Sequence, residues 1–539
     1  MNLEVLLNFY MNDSRCVQIA EGIAMFDPCH FQLKGISGSL SQFILASAFS
    51  NPKVADKNHL VILRDAEEAA YFHNSFENIT GALDILYFPS SFKNKKNYEL
   101  LNSSHVMLRT EALTKLASGQ KKKVIITYPE AIFEKLVLAT TLSKNIISIK
   151  QAATLNVEAL LQQFVEYGFA RTDFVYEPGQ FAVRGGILDI YSFGNEKPYR
   201  IELFGNDVDS IRIFDPETQL SERKLLQVNI IPNIDALSDA FNDTGEKVSI
   251  IEFLGEDAVI WTEDYSFINE KLEQQVEDLQ IFLEIVKQTD KEETTELEDL
   301  QRRQHIDNND FVNPALIIQE IGKTNLIQFG NKYFDFSHNT LVNRLSFATT
   351  PQPAFNRQFP LLINNLQSLE AKDYNIFIFA ENPKQLERLH SIFIDLKAEI
   401  QITPIPVSIH EGFIDDDNKL VCYTDHQVFQ RYHKYKVKQA FSKNKALTLK
   451  TLRELQPGDY VSHIDHGVGV YSGLQKIDAN GKMQEAVRIQ YKDGDLLYVN
   501  ISSLHKISKY SGKEGSVPKM NKLGSDVWNK LKEKTKPLH

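Results

Sequence analysis

The chain has 539 residues, 42% of them hydrophobic, and a formal net charge of −12. That length predicts about three to five domains, while the acidic balance argues against nucleic-acid binding over the whole surface. No apolar run is long enough to span a membrane, and Cys16, Cys29 and Cys422 are too widely spaced for a zinc site or a disulfide framework, as suits a reducing cytoplasm.

The opening MNLEVLLNFYMND has early carboxylates and no basic region, so it does not read as a secretory signal. FQLKGISGSLSQFILASAF, Phe31 to Phe49, has the layout of a strand, a phosphate loop and a helix. A working loop needs glycines for close backbone approach, a lysine for the terminal phosphates and a hydroxyl for magnesium. Gly35 and Gly38 persist, but Leu40, Ser41 and Gln42 stand where the last glycine, the lysine and the hydroxyl ligand belong. The loop therefore reads as degenerate, a glycine turn opening a packed helix. Strand-like runs at His59 to Leu63, Asp84 to Phe88 and Lys123 to Tyr128 alternate with helical segments, which predicts a parallel sheet with crossover helices.

The stretch from Phe174 to Ser221 is the most informative. Pro178-Gly179 has the order of a type II turn. Alternation from Gln180 to Arg184 predicts a half-buried strand, interrupted at Gly185-Gly186 by a bulge or a close approach and resumed from Ile187 to Tyr191. Tyr199 to Phe204 and Val208 to Phe214 complete a meander with one buried and one exposed face. Arg200, Glu202 and Phe204 fall on the exposed face, away from Ile201 and Leu203, so removal of Arg200 or Phe204 is expected to change fold stability little. An aromatic beside arginines is the composition of a protein-binding hot spot, although it also suits ordinary solvated surface.

Leu226 to Ile231 is expected to return to the first domain, followed by short strands at Val248 to Leu254 and Ala258 to Trp261 and a helix near Phe267 to Val286. The acidic run DKEETTELED, 290–299, reads as solvated. No DExx box or helicase-type arginine finger occurs. A small α/β unit follows the boundary at QPAFNRQF, and FQRYHKYKVKQ, 429–439, reads as a basic-aromatic linker helix. From Leu455, closely spaced strands with hairpin signals at Asn480-Gly481 and Asp493-Gly494 predict a small closed barrel. His463 and His466 have no third ligand nearby, so no metal site is expected.

GQFAVRGGILDIYSFG with PYRIELFGNDVDSIRIFDPETQLS resembles the sheet shared by UvrB and the bacterial transcription-repair coupling factors (the Mfd family), the module that docks on UvrA. HGVGVYSGL, the later hairpins and LLYV resemble the CarD/Tudor-like RNA-polymerase-interacting domain of the coupling factors. UvrB keeps an intact phosphate loop and a long tyrosine-rich hairpin. Here the loop is degenerate, and PSSFKNKKNYELLNSSH has Tyr98 as its only tyrosine, so the resemblance favours the coupling factors.

The resemblance implies a multidomain α/β and α+β chain: a degenerate P-loop-type, UvrB-like parallel-sheet domain with an inserted antiparallel α+β domain, a further small α/β domain, and a small SH3/Tudor-like β-barrel. Expected boundaries are 1–138 and 223–350 for the UvrB-like part, 139–222 for the UvrA-binding domain, 351–445 for the small α/β domain with its linker helix, 446–511 for the barrel, and 512–539 for a basic linker toward a motor. It further implies UvrA contacts at Arg184, Arg200 and Phe204, and contact with the polymerase β subunit at Ile477, taken to end the strand Val470 to Ile477. No cofactor is expected in this chain. ATP and magnesium, like double-stranded DNA, belong to the family's translocase motor, whose motifs are missing from this sequence. A cytoplasmic, monomeric adaptor is the implied role. The alternatives are a UvrB-like ATP-dependent damage-verifying helicase and a CarD-like transcription regulator.

Overall fold

The computed structural model describes residues 2–431 apart from 55, 82–84, 95, 119–121, 196, 217, 234–246, 289–305 and 337–340, together with 457–463, 466–479, 482–500, 507–509 and 520–523. The acidic run, most of the basic-aromatic segment, the Asn480-Gly481 turn and most of 512–539 lie outside the described residues. The chain divides into two compact units. One comprises Met1–Ile146, Glu166–Gly168 and Ile231–Gln439; the other comprises Ile147–Val165, Phe169–Ile230 and Ala440–His539.

The first unit is built on a seven-stranded parallel sheet ordered Val342–Ser346, His30–Lys34, Asn325–Phe329, Val259–Glu263, His59–Ile62, Val124–Thr127 and Ile85–Tyr87. Its central strands are buried along their whole length, as expected where both faces of a parallel sheet are covered. Ile250–Leu254 is helical rather than extended, because Ser249 caps it by accepting from the Glu252 N–H at 3.0 Å. A second, five-stranded sheet comprises Thr349–Pro351, Phe413–Asp415, Leu420–Thr424, Asn375–Phe379 and Thr403–Ile405. Its core includes Leu366, Ile378, Leu389 and Tyr423.

The second unit holds a six-stranded sheet ordered Ser221–Leu225, Asp207–Phe214, Tyr199–Phe204, Ile187–Ile190, Gln180–Arg184 and Ala170–Arg171. It is a meander except for its last pair, which is parallel. The Pro178-Gly179 turn forms as expected: Gly179 takes φ +83° and the Gln180 N–H donates to the Glu177 carbonyl at 3.3 Å. Gly185-Gly186 does not interrupt one strand. It is the two-residue turn of a hairpin in which Arg184 pairs with Ile187. Gly185 has φ +59°, and a Cβ on Gly186 would lie 2.7 Å from the Leu203 carbonyl oxygen, so the close approach is real. The bulge falls instead between Glu202 and Leu203. Gln227–Ile230 does not rejoin the first unit. It pairs with Ile147–Lys150 in a two-stranded sheet, and the chain re-enters the first unit at Ile231.

The carboxy-terminal residues of this unit form a five-stranded antiparallel sheet ordered Leu496–Asn500, Lys482–Gln490, Gly467–Ala479, Tyr460–His463 and Ile507–Lys509. Val461, Tyr471, Val487, Ile489 and Tyr491 make its core, and Phe174 packs against them. The strand through Ile477 continues to Ala479. Ile477 therefore lies within a long hairpin, paired with Gln484, and not at a strand end.

Candidate functional site

Antiparallel register decides what the polar face of the six-stranded sheet becomes. Ala182 pairs with Asp189, Asp189 with Arg200, and Arg200 with Arg212, so four strands contribute to one row on one face. Asp189 is fully buried. Arg200 donates Nε–H and Nη2–H to its two carboxylate oxygens at 2.8 and 2.9 Å, and Nη1–H to the Gln219 carbonyl at 3.0 Å. Arg184 donates Nη2–H to the same carboxylate from the diagonal position. Arg200 lies over the Phe214 ring at 4.4 Å and Arg184 over Phe174 at 4.2 Å. In the neighbouring row Glu202 accepts from Ser210 at 2.7 Å and from Arg212 at 2.9 Å.

The face expected to be solvated is thus half covered by the protein's own loops. Val175, Ala182, Tyr191 and Phe214 form a small apolar core on it, and the Gln219 side chain donates to the Val175 carbonyl at 3.0 Å. The side chain of Arg200 is only 14% exposed. Its removal would leave the buried carboxylate with only the partly exposed Arg184 as a cation, contrary to the expectation that the fold would not feel the loss. Arg184 is 31% exposed and keeps an open edge. Phe204 is 83% exposed. It stands beside the Gly205-Asn206 turn, whose Asn206 carbonyl accepts from the Leu155 N–H at 2.8 Å. The three predicted residues therefore lie on one sheet with unequal roles: a bare aromatic, a half-open guanidinium, and an internal strut. Asp189, which organises both arginines, was missed. The alternation Leu188-Asp189-Ile190 places it on the polar face, but only the strand register sets it opposite Arg200.

The phosphate loop of the first unit is closed by protein. Gly35 and Gly38 have φ +74° and +53°, and a Cβ on them would lie 2.1 Å from the Phe347 oxygen and 2.6 Å from the Gly412 oxygen. The Ser39 N–H, at the start of the helix Leu40–Ser50, donates to the Glu411 carbonyl at 3.0 Å, and the Glu411 N–H donates to Ser39 Oγ at 3.1 Å. Leu40, Ser41 and Gln42 are buried. Arg64, Glu68, Glu263 and Glu411 also line the cleft. Burial raises the Glu263 carboxyl to about 7, and Arg64 Nε at 3.5 Å offsets this only in part. Tyr98 points inward from the short hairpin Phe92–Asn94/Asn97–Leu101, its ring packed against Phe92, Phe282 and Phe311.

In the second unit the Ile477 side chain lies outside the described residues. His463 and His466 have ring centroids 4.7 Å apart, and no group of three metal-ligating side chains occurs among the described residues.

Comparison with known families assigns both informative regions. The UvrB interaction domain matches residues 147–235, which hold the six-stranded sheet, and the CarD-like/TRCF RID domain matches residues 455–511. The chain carries both domains. It is similar over 98% of its length to the transcription-repair-coupling factor of Staphylococcus epidermidis, at 25% identity, and to that of Staphylococcus haemolyticus, at 24%. The factor of Staphylococcus aureus is 24% identical over 95% of the chain. The chain spans about half the length of these relatives, 49% of the first two and 48% of the third. No helix among the described residues is long and apolar enough to cross a membrane.

Proposed function

We propose that this chain is an adaptor of transcription-coupled DNA repair, which recruits UvrA through the six-stranded sheet and holds the RNA polymerase β subunit through the 455–511 domain. The observation that carries the reading is the co-occurrence of a UvrB interaction domain and an RNA-polymerase-interacting domain in one chain, the first of which leaves Phe204 bare. Phe204 supplies buried apolar area to the partner, and the open edge of Arg184 supplies bidentate pairing to a carboxylate. The 455–511 sheet is taken as an SH3/Tudor-like barrel that offers a strand edge and Ile477 to the β subunit. The adaptor acts as a cytoplasmic monomer. Movement of the polymerase on double-stranded DNA is assigned to an ATP-dependent translocase motor of the whole protein.

The helicase alternative has less support. Its ATP would meet the Glu411 and Gly412 carbonyls, with Ser41 in place of the lysine, and Tyr98 is packed inward. The test is co-elution of the chain with UvrA and, separately, with a β-subunit fragment. Loss of UvrA alone is expected for Phe204→Ala, and loss of the β fragment alone, with an unchanged melt, for Ile477→Arg. Failure of the unaltered chain to retain either partner would defeat the adaptor reading.

A further inference from the structure

Next to the edge strand of the six-stranded sheet lies another exposed apolar side chain that the sequence did not single out. Leu226, between the strands Ser221–Leu225 and Gln227–Ile230, is 80% exposed. It lines one open groove together with Phe204. Buried Val208 contributes to that groove, as do the exposed Lys150, Asp207 and Asp209.

The backbone on both sides is fixed. The Gln151 N–H donates to the Leu226 carbonyl at 2.9 Å, the Ala152 N–H to the Val208 carbonyl at 2.9 Å, and the Val208 N–H to the Ala153 carbonyl at 2.9 Å. Thr154 Oγ1 donates to Asp207 Oδ1 at 2.6 Å. Two large apolar side chains on backbone that is already ordered, with a charged rim, have the anatomy of a hot spot that needs little ordering on binding. Every residue of the groove falls within 147–235, the span matched by the UvrB interaction domain.

We infer that the UvrA-binding surface extends from Phe204 across this groove to Leu226, and that an apolar side chain of UvrA seats between the two anchors. The inference rests on the proposed UvrA reading and is tested so that the two can fail separately. Binding of purified UvrA to the full chain is titrated for Leu226→Ala, Leu226→Glu and Phe204→Ala, with thermal melting of each. Leu226→Glu is expected to weaken binding tenfold or more, and Leu226→Ala by several-fold, with unchanged melts.

Undiminished binding by both Leu226 variants with loss by Phe204→Ala would overturn the groove and leave the UvrA reading standing. Undiminished binding by all three would overturn both. A lowered melt for either Leu226 variant would contradict the exposure on which the inference rests and overturn it. Concentration-dependent self-association of the unaltered chain, abolished by Leu226→Glu, would assign the groove to a second copy and overturn it equally.

Discussion

The phosphate-loop mouth of the first unit and the polar face of the six-stranded sheet are built from similar material: glycine turns, arginines and carboxylates. They have been finished in opposite ways. At the mouth, the Ser39 donor is met by the Glu411 carbonyl, and backbone oxygens crowd both glycines. On the sheet, Asp189, Arg200 and Arg184 satisfy one another, yet Phe204 and Leu226 are left to solvent. The contrast separates a turn whose polar groups are met by the protein's own backbone from a sheet beside which large apolar side chains are left bare. An exposed aromatic on a pinned hairpin is informative because nothing in the fold requires it there.

Four measurements would break or sharpen this comparison. The largest effect is expected from Arg200→Ala. Removing one partner from a buried ion pair leaves Asp189 poorly compensated and should destabilise the second unit by about 3 kcal/mol in urea unfolding. An unchanged midpoint would mean that the arginine is a surface group after all. Phe204→Ala should reverse the pattern, weakening UvrA binding by about 2 kcal/mol while shifting stability by no more than about 0.5 kcal/mol. Loss of stability without loss of binding would exchange the two roles.

Glu263 tests the closed mouth. Its folded carboxyl titrates near 7, raised by burial from an unfolded value near 4.5. Below both values the group is protonated in either state and costs nothing. As pH rises through that window the unfolded chain releases its proton first, so stability declines, and the decline is complete above about pH 7. Glu263→Gln removes the decline and should gain stability at pH 8 relative to pH 4, read by unfolding across the range. A pH-independent difference between the two proteins would remove the burial argument. The smallest expected effect is none: calorimetric titration with ATP and magnesium should give no heat of binding, and micromolar affinity would reopen the loop as a nucleotide site.

Much of the arrangement was legible in the chain. The parallel strands His59–Ile62, Ile85–Tyr87 and Val124–Thr127, the type II turn at Pro178-Gly179 and the strands on either side of Gly205-Asn206 follow from period and turn chemistry, which act over a few residues. The lysine missing from the loop is legible for the same reason, since it is a local fact. Other readings failed where a longer-range partner decided the outcome. Gly185-Gly186 read as an interruption because only pairing shows that Arg184 faces Ile187 across a hairpin. Val248 to Leu254 is the exception, a local misreading: its apolar residues suit either structure, and the Ser249 cap three residues before Glu252 marks the helix. Leu226 read as the start of the run to Ile231, because exposure cannot be told from type where Leu225 stands beside it.

The sequence by itself determined which residues alternate, where the chain turns, and which chemical groups the phosphate loop lacks. Each of these is set by backbone geometry and side-chain type within a short window. Only the tertiary structure decided that Arg200 supports the sheet from within while Phe204 stays bare. Arg200 is held by Asp189, eleven residues away on the next strand, and by the Gln219 carbonyl, nineteen residues away in a returning loop. Charge compensation depends on distance in space. Alternation places two side chains on the same face but cannot tell which of them the fold will cover.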